Sequence, residues 1–197
     1  MLSSRSIMQH VCPRRHKTLS PLINHSSRDP TIRSWDRSDE ANQDIFGNMG
    51  KHIHIGSDHA GMDLKHSVKD HLKAQGYEVM DKGTHVRDSV DYPDYAHAVA
   101  SAVTSSPGDL GIVICGSGNG VNITANKHQG IRSALAWNPE IGALARQHNN
   151  ANILALPARY ITAEEALRIV DAFLASEFEG GRHQRRIDLI EPADQLP

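Results

Sequence analysis

A cysteine stands directly before a glycine-rich segment near the middle of the chain. The segment reads ICGSGNG over residues 114–120, where Cys115 precedes Gly116, Ser117, Gly118, Asn119 and Gly120. An apolar run before it and a helical pattern after it place its backbone N–H groups at a helix N-terminus. Such groups bind an anion or stabilise a developing oxyanion. A thiol at this position is a candidate base or nucleophile, because a helix N-terminus favours the thiolate.

The spacing of the glycines excludes three named motifs. A dinucleotide-binding fingerprint needs its third glycine at position 121, where the chain has Val121. The phosphate loop of nucleotide hydrolases needs a following Lys-Ser or Lys-Thr pair, which this segment lacks. A nucleophile elbow centred on Ser117 would need glycine in place of Cys115. Two interpretations remain: an anion-binding loop, or a glycine turn that holds no ligand.

Two polar pairs offer acid–base groups elsewhere in the sequence. Asp58 and His59 follow the first predicted strand, and His148 and Asn149 follow a predicted helix. A carboxylate or an imidazole can act as a general acid or base. The chain has 13 histidines, so a place on the surface explains any one of them taken alone.

Other charged side chains allow a phosphate site more readily than a metal site. Arg182 and Arg186 would point the same way on a helix and could clamp one phosphate, the alternative being a solvated C-terminal helix. His52 and His54 would share one face of a strand, but no Cys, His or Asp spacing completes a metal site. We therefore expect no metal and no cofactor.

Composition narrows the class of protein. The formal net charge of -2 gives no reason to expect a nucleic-acid partner. No apolar run approaches the roughly 20 residues of a membrane span, so we expect a soluble protein without a membrane partner. Cys12 and Cys115 lie far apart and support no disulfide framework, which is typical of the reducing cytoplasm.

The start of the chain differs from the rest. Residues 1–48 mix Ser, Arg, His, Pro and Asn without a hydrophobic period, and we expect a disordered N-terminal extension there. Residues 1–28 contain five Lys or Arg and no acid, the composition of an organelle transit peptide. The alternative is that Met49 is the natural start. We expect one folded domain over residues 49–197.

From residue 51 onward, strand and helix patterns alternate. Strands are predicted near 52–56, 77–80, 110–115, 131–137 and 152–156. Helices are predicted at 62–75, from 93 to about 107, and at 121–128, 139–147 and 162–178. This alternation predicts an α/β fold, a Rossmann-like three-layer α/β/α sandwich with a five-stranded parallel sheet. Ligands of such a sheet bind beyond the carboxyl ends of its strands.

Five motifs in a fixed order resemble the type B ribose-5-phosphate isomerases, part of the ribose/galactose sugar-phosphate isomerase family. They are Gly56–Gly61 (GSDHAG), Asp91–Pro93 (DYP), Cys115–Gly120 (CGSGNG) with Ala125–Lys127 (ANK), Arg146–Asn149 (RQHN) and Glu179–His183 (EGGRH), and the resemblance covers about residues 51–190. The resemblance implies interconversion of ribose 5-phosphate and ribulose 5-phosphate, in the non-oxidative pentose phosphate pathway, without metal or nucleotide. It also implies a homodimer, or a tetramer, with active sites at the subunit interface.

The resemblance implies a role for each matching residue. Cys115 looks like the base that moves a proton between C2 and C1, His148 like the acid that helps to open the furanose ring, with Asp58 sharing that task. The amides of Gly116–Gly120 would hold the enediolate oxygen, and Ser117 could relay a hydroxyl proton. Further implied substrate contacts are the phosphate ligands His59, Arg182 and Arg186, then Asn149 and Arg159, and Tyr92 lining the pocket.

Three other functions remain open on the sequence. Relatives that isomerise galactose 6-phosphate or allose 6-phosphate use the same scaffold, so the substrate could have six carbons. A sugar-phosphate or nucleotide binding module could use the glycine loop for phosphate alone. A thiol hydrolase is disfavoured, because Cys115 lacks the flanking glycines of an elbow. In relatives without the cysteine, a glutamate just after the last loop glycine is the base; that position here is Val121.

Overall fold

The computed structural model describes residues 52–191, in which strands and helices alternate. The strands are β1 His52–Ser57, β2 Glu78–Asp81, β3 Leu110–Cys115, β4 Ser133–Leu135 and β5 Ile153–Pro157. The helices are α1 Met62–Ala74, α2 Tyr92–Ser105, α3 Asn119–Ala125, α4 Pro139–Asn149, α5 Ala163–Ala175 and α6 Arg182–Ile187, with a short 3-10 turn, His59–Gly61, before α1. Within this part of the chain, no helix has the length and apolar character needed to cross a membrane.

The five strands form one parallel sheet in the order β2-β1-β3-β5-β4. After β1 the chain first crosses to β2 on one side and then to β3 on the other. In an open parallel sheet, ligands bind at such a reversal of strand order, beyond the carboxyl ends of the strands. The register pairs Ser57 with Ile114. The residues that follow β1 therefore lie beside the end of β3.

Helices cover both faces of the sheet. Ile112 and Ile114 of β3 pack in one core with α1 and α5, whereas Val113 and Cys115 pack in the other with α2 and α3. Every residue of β3 is buried, as expected for a parallel strand covered on both faces. The predicted Rossmann-like sandwich with a five-stranded parallel sheet is confirmed.

The predicted elements are found, with differences at some ends. The helix after the glycine loop begins at Asn119, two residues before its predicted start, because Gly118 adopts a φ of +74° and turns the chain directly into α3. The predicted strand 131–137 is shorter, because β4 lies at the sheet edge and pairs with β5 alone. Thr162 begins α5 through a capping box with Glu165, in agreement with the predicted helix start. The predictions for residues 1–48 lie outside the described residues.

Candidate active site

The first predicted polar pair lies at the reversal of strand order. Asp58 follows β1 and donates its backbone N–H to the carbonyl of Ile114 at 3.3 Å. Its buried carboxylate accepts the N–H of Gly61 at 3.0 Å and so caps the 3-10 turn. His59 Nδ1 accepts the N–H of Val90 at 3.2 Å. The other ring nitrogen of His59, Nε2, is thus the one left for a further contact.

Cys115 ends β3 beside the end of β1 and begins the glycine loop. The residue is buried, and its Sγ accepts the N–H of Gly118 at 3.1 Å. An N–H donated to sulfur stabilises negative charge on that atom. Within residues 52–191, the N–H groups of Gly116, Ser117 and Gly120 have no acceptor. The loop therefore holds a thiol next to three backbone donors that an oxyanion could use.

Two positions of the loop require glycine. Gly118 has a φ of +74°, and a Cβ there would lie 2.4 Å from Cδ1 of Leu135. A Cβ on Gly120 would lie 2.6 Å from the ring of Tyr92. Any larger residue at either position would have to displace its neighbour, and at Gly118 it would also adopt a strained backbone. The loop thus depends on glycine for its shape.

Two side chains from other elements frame the loop. Arg159 follows β5 and donates its backbone N–H to the carbonyl of Gly116 at 3.0 Å. Its guanidinium lies beside the same glycine. Tyr92 begins α2 and lies over Gly120, with 40% of its surface exposed. Both side chains therefore border the space above the glycine loop.

The side chain of Ser117, another predicted site residue, lies on the glycine loop itself. Ser117 Oγ accepts the N–H of Asn119 at 3.4 Å, which places the hydroxyl at the first turn of α3. The structure thus brings together the predicted residues that follow β1, β3 and β5 and the residue that begins α2. We call this group the cysteine half-site: Asp58, His59, Tyr92, Cys115–Gly120 and Arg159.

The second predicted polar pair lies elsewhere, at the end of α4. The ring of His148 stacks on that of His183, with centroids 4.2 Å apart and planes inclined by 8°. Glu179 Oε2 lies 3.9 Å from His148 Nε2 and 3.6 Å from His183 Nε2. Burial of His183 lowers the pKa of its imidazole, and the nearby charges of His148 and Arg182 act in the same direction.

The two predicted phosphate-binding arginines lie close to this histidine pair. Arg182 Nε donates to His183 Nε2 at 3.3 Å, and Arg186 follows one turn later on α6. Asn149 ends α4, and its carbonyl oxygen accepts a hydrogen bond from Nε of Arg132 at 2.9 Å. We call this group the histidine half-site: His148, Asn149, Glu179, Arg182, His183 and Arg186.

In one chain, the two half-sites lie at opposite ends of the parallel strands. Cys115 pairs with Pro157 at the carboxyl end of β5. Helix α4 starts beyond the carboxyl end of β4 and returns to the amino end of β5. His148, near the end of α4, therefore lies at the amino ends of the strands. An 11-residue helix spans roughly 16 Å. A single chain therefore does not bring His148, Arg182 or Arg186 to Cys115.

A buried lysine that sequence analysis missed supports the cysteine half-site. Lys65 is fully buried, and its Nζ donates to Asp81 Oδ1 at 2.7 Å and to the carbonyl of Thr84 at 2.8 Å. Burial alone would raise the pKa of Asp81, but hydrogen bonds from Lys65, Lys69 and Gly83 outweigh it and lower the pKa to about 2. These contacts fix the segment between β2 and α2, whose last residues hold His59 and present Tyr92.

Known proteins resemble this chain over the part that the structure describes. Residues 53–190 match the model of a family described as Ribose/Galactose Isomerase. The chain is 47% identical over 145 residues to ribose-5-phosphate isomerase B of Escherichia coli (strain K12), a match that covers 74% of this chain and 97% of that protein. It is 47% identical over 143 residues to ribose-5-phosphate isomerase B of Mycobacterium tuberculosis (strain H37Rv), which covers 72% of this chain and 88% of that protein.

Solved protein structures also resemble this chain in fold and sequence. Ribose-5-phosphate isomerase B from Mycoplasma genitalium, solved with bound ribulose-5-phosphate, superposes with a TM-score of 0.70 at 50% identity, over 72% of this chain and 95% of that one. The ribose 5-phosphate isomerase of Thermotoga maritima gives a TM-score of 0.69 at 52% identity, over 71% of this chain and 96% of that one.

Proposed function

The chain belongs to the ribose/galactose isomerase family and has the ribose-5-phosphate isomerase activity of its relatives; we propose that its reaction runs through an enediolate with Cys115 as the base. The observation that carries this proposal is the cysteine loop, in which one turn of chain supplies a thiol and three N–H groups without acceptors. The reaction belongs to the non-oxidative part of the pentose phosphate pathway.

Interconversion of an aldose and a ketose needs one base that returns the proton it takes. In the direction of ketose formation, the Cys115 thiolate removes the proton from C2 of ring-opened ribose 5-phosphate, and the electron pair moves to the C1 carbonyl oxygen. The thiol then gives the proton to C1. Ser117 carries the hydroxyl proton between the two oxygens. Cys115 is therefore a proton carrier and forms no covalent bond to the sugar.

The enediolate carries negative charge that must be stabilised within the site. The N–H groups of Gly116, Ser117 and Gly120 are fixed by the loop before the substrate arrives, and fixed donors stabilise an oxyanion without reorganisation. The N–H of Gly118 is directed instead at the sulfur. We assign the loop amides to the enediolate oxygen and the phosphate to other residues.

The ring-closed sugar must open before the proton transfer. His148 is the acid that protonates the ring oxygen, and Asp58, held at the end of β1 by Gly61, accepts the proton of the C1 hydroxyl. The phosphate dianion is bound by the imidazole of His59 and the guanidinium groups of Arg182 and Arg186, which suit phosphate geometry. Further contacts come from Asn149, Arg159 and Tyr92.

These roles require two copies of the chain. The histidine half-site, with His148, Arg182 and Arg186, lies at the end of the strands opposite to Cys115. The histidine half-site of one copy must therefore complete the cysteine half-site of another. Apolar side chains remain exposed beside both groups: Ile123 of α3 by 59%, and Leu189 after α6 by 79%. Exposed apolar residues near a split site favour contact between copies. We propose a homodimer with two shared active sites.

The test is a direct assay of the purified chain. We expect ribulose 5-phosphate to form from ribose 5-phosphate with no added metal and in the presence of chelator. Absence of ketose with folded protein would refute the proposed activity. The same assay with allose 6-phosphate and galactose 6-phosphate measures the preference for five or six carbons. A binding module that holds sugar phosphate would bind all of these without turnover.

A further inference from the structure

Three metal-ligating side chains converge in the histidine half-site. The ligand atoms of His148, Glu179 and His183 all lie within 4.8 Å of one another, the one such group within residues 52–191. The Nε2 atoms of both histidines approach the same carboxylate oxygen of Glu179, at 3.9 and 3.6 Å. These atoms come from α4, from α6 and from the segment between α5 and α6, so the fold and not local sequence brings them together.

The spacing is close to that of a tetrahedral zinc site. Bonds of roughly 2.0–2.1 Å to nitrogen and oxygen place neighbouring ligand atoms about 3.3 Å apart. The observed separations of 3.6 and 3.9 Å from Glu179 therefore need to shorten only a little, whereas the third pair of ligand atoms, which lies within 4.8 Å, has up to about 1.5 Å to close. The side chains of His148 and Glu179 are 36% and 53% exposed, so both have room to move toward the buried His183. The two parallel rings must also tilt, and the ring of His148 is only partly buried.

One existing contact has to break. Arg182 Nε donates to His183 Nε2 at 3.3 Å, which uses the lone pair that a metal ion would take. This hydrogen bond is long, and Arg182 is an exposed side chain that can turn away. The positive charges of Arg182 and Arg186 also oppose a cation. These two effects predict a moderate affinity rather than that of a structural zinc site.

We propose that His148, His183 and Glu179 bind one Zn²⁺ or a similar transition-metal ion, and that this ion inhibits the isomerase. Two imidazoles and a carboxylate are ligands that zinc prefers, with water in the fourth position. Mg²⁺ and Ca²⁺ prefer oxygen ligands and are excluded on this ground. The ion has no part in the proposed reaction.

The inhibitory effect rests on the proposed function, whereas metal binding does not. Bound zinc would occupy the Nε2 lone pair of His148, the proposed acid, and would displace Arg182, a proposed phosphate ligand. Substrate and ion would then compete for the same groups. Ribose 5-phosphate at saturating concentration should therefore weaken the inhibition by zinc.

Binding is tested first, with the full chain freed of metal by chelator and then dialysed. Titration with Co²⁺ should give a visible absorption band typical of tetrahedral coordination, saturating near one ion per chain and abolished by Zn²⁺. Glu179→Gln and His183→Asn should each weaken binding at least tenfold. Glu177→Gln is the matched control, because Glu177 is an exposed glutamate two residues away with no such contact. Equal binding by Glu179→Gln and Glu177→Gln would overturn the site.

Inhibition is tested second, with each variant compared with its own rate in chelator. Zn²⁺ at micromolar concentration should inhibit the wild type and Glu177→Gln, whereas Glu179→Gln should need at least ten times more zinc. Mg²⁺ at millimolar concentration should have no effect. Zinc that binds without slowing turnover would overturn the inhibitory role. A chain that binds Co²⁺ but lacks isomerase activity would support the metal site and refute the proposed function.

Discussion

The cysteine half-site is built largely from backbone at the ends of strands, whereas the histidine half-site is built from side chains at the ends of helices. In the first, Cys115 and its loop donors are fixed by the register of β3 and by two glycines at which a side chain would meet a neighbour. In the second, His148 is held by stacking on His183 and Arg182 by one long hydrogen bond. The first is therefore rigid, and the second can rearrange.

This difference matches the two tasks that we propose for the half-sites. Stabilising an enediolate needs donors that do not reorganise during the reaction. Binding a phosphate dianion needs charge and reach, which flexible arginines supply. The comparison predicts that substitutions of Cys115 and its loop mainly lower kcat, whereas substitutions of Arg182 and Arg186 mainly raise KM.

The largest expected effect comes from removing the base or the acid. Cys115→Ala and His148→Asn should each lower kcat by roughly 10²–10⁴, the range for loss of a general acid or base. Both variants should still bind ribose 5-phosphate, as measured by calorimetry. If Cys115→Ala keeps wild-type turnover, the thiol is not the base.

Mixing these two inactive variants tests whether the half-sites are shared between copies. After unfolding and refolding together, half of the dimers would contain one copy of each variant, and one of their two sites would have both Cys115 and His148. Activity should therefore return to about a quarter of wild type. Each variant refolded alone is the control. Failure to recover activity, with mixed dimers shown by mass spectrometry, would mean that each site belongs to one chain.

Two glycine substitutions compare the rigidity of the half-sites directly. Gly118→Ala combines a φ of +74° with a Cβ 2.4 Å from Leu135, and should destabilise the fold by about 2–4 kcal/mol and lower kcat. Gly180→Ala also has a positive φ, of +64°, but meets nothing within 4 Å. It should cost only about 1 kcal/mol. Urea unfolding of both variants measures the difference, and equal costs would contradict it.

The parts of the site that follow strands were predictable from the sequence. The apolar run at β3 and the glycines after it place Cys115 at a carboxyl end, and Asp58 follows β1 in the same way. That both residues lie at the same ends of the strands follows from parallel pairing. The strand order does not, because it depends on which side of β1 each crossover takes. Sequence therefore predicts the two loops but not which strands adjoin.

Other features depend on contacts that no local pattern encodes. The stacking of His148 on His183 joins α4 to α6, and the sequence offers only two histidines far apart. Lys65 did leave a signal, because it falls three residues before Val68 and seven before Leu72 on the apolar face of α1. A lysine at such a position needs a buried partner. That the partner is Asp81 could not be read without the structure.

A smaller effect is expected at Arg182, one of the proposed phosphate ligands. Arg182→Ala should raise KM for ribose 5-phosphate by about 10–100-fold, as for loss of one charge-assisted hydrogen bond, and change kcat by less than about threefold. Arg185→Ala is the matched control, since Arg185 is an exposed neighbour on α6 that was assigned no substrate contact. Steady-state kinetics distinguishes the outcomes. A fall confined to kcat would contradict a phosphate-binding role.

The smallest expected effect is a loss of stability in acid that arises behind the cysteine half-site. The pKa of Asp81 lies at about 2, below its ordinary value of 3.8, so its ionised form stabilises the folded state above pH 4. That contribution, about 2 kcal/mol, should be lost as the pH falls from 4 toward 2. Asp81→Asn should remove it at neutral pH, and the gap to wild type in urea unfolding should shrink in acid.

The cluster of Asp81, Lys65 and Lys69 should determine which part of the fold opens first in acid. Protonated Asp81 releases Lys65 and Lys69, and with them the segment that contacts His59 through Val90. Hydrogen exchange near pH 3 should therefore rise over residues 82–90 before it rises over α4, because α4 follows β4, which lies at the other edge of the sheet from β2 and Asp81. Asp88→Asn, at an exposed position in the same segment, controls for a change of charge alone. Equal exchange in both regions would show that the lysine cluster stabilises the whole fold and not the cysteine half-site in particular.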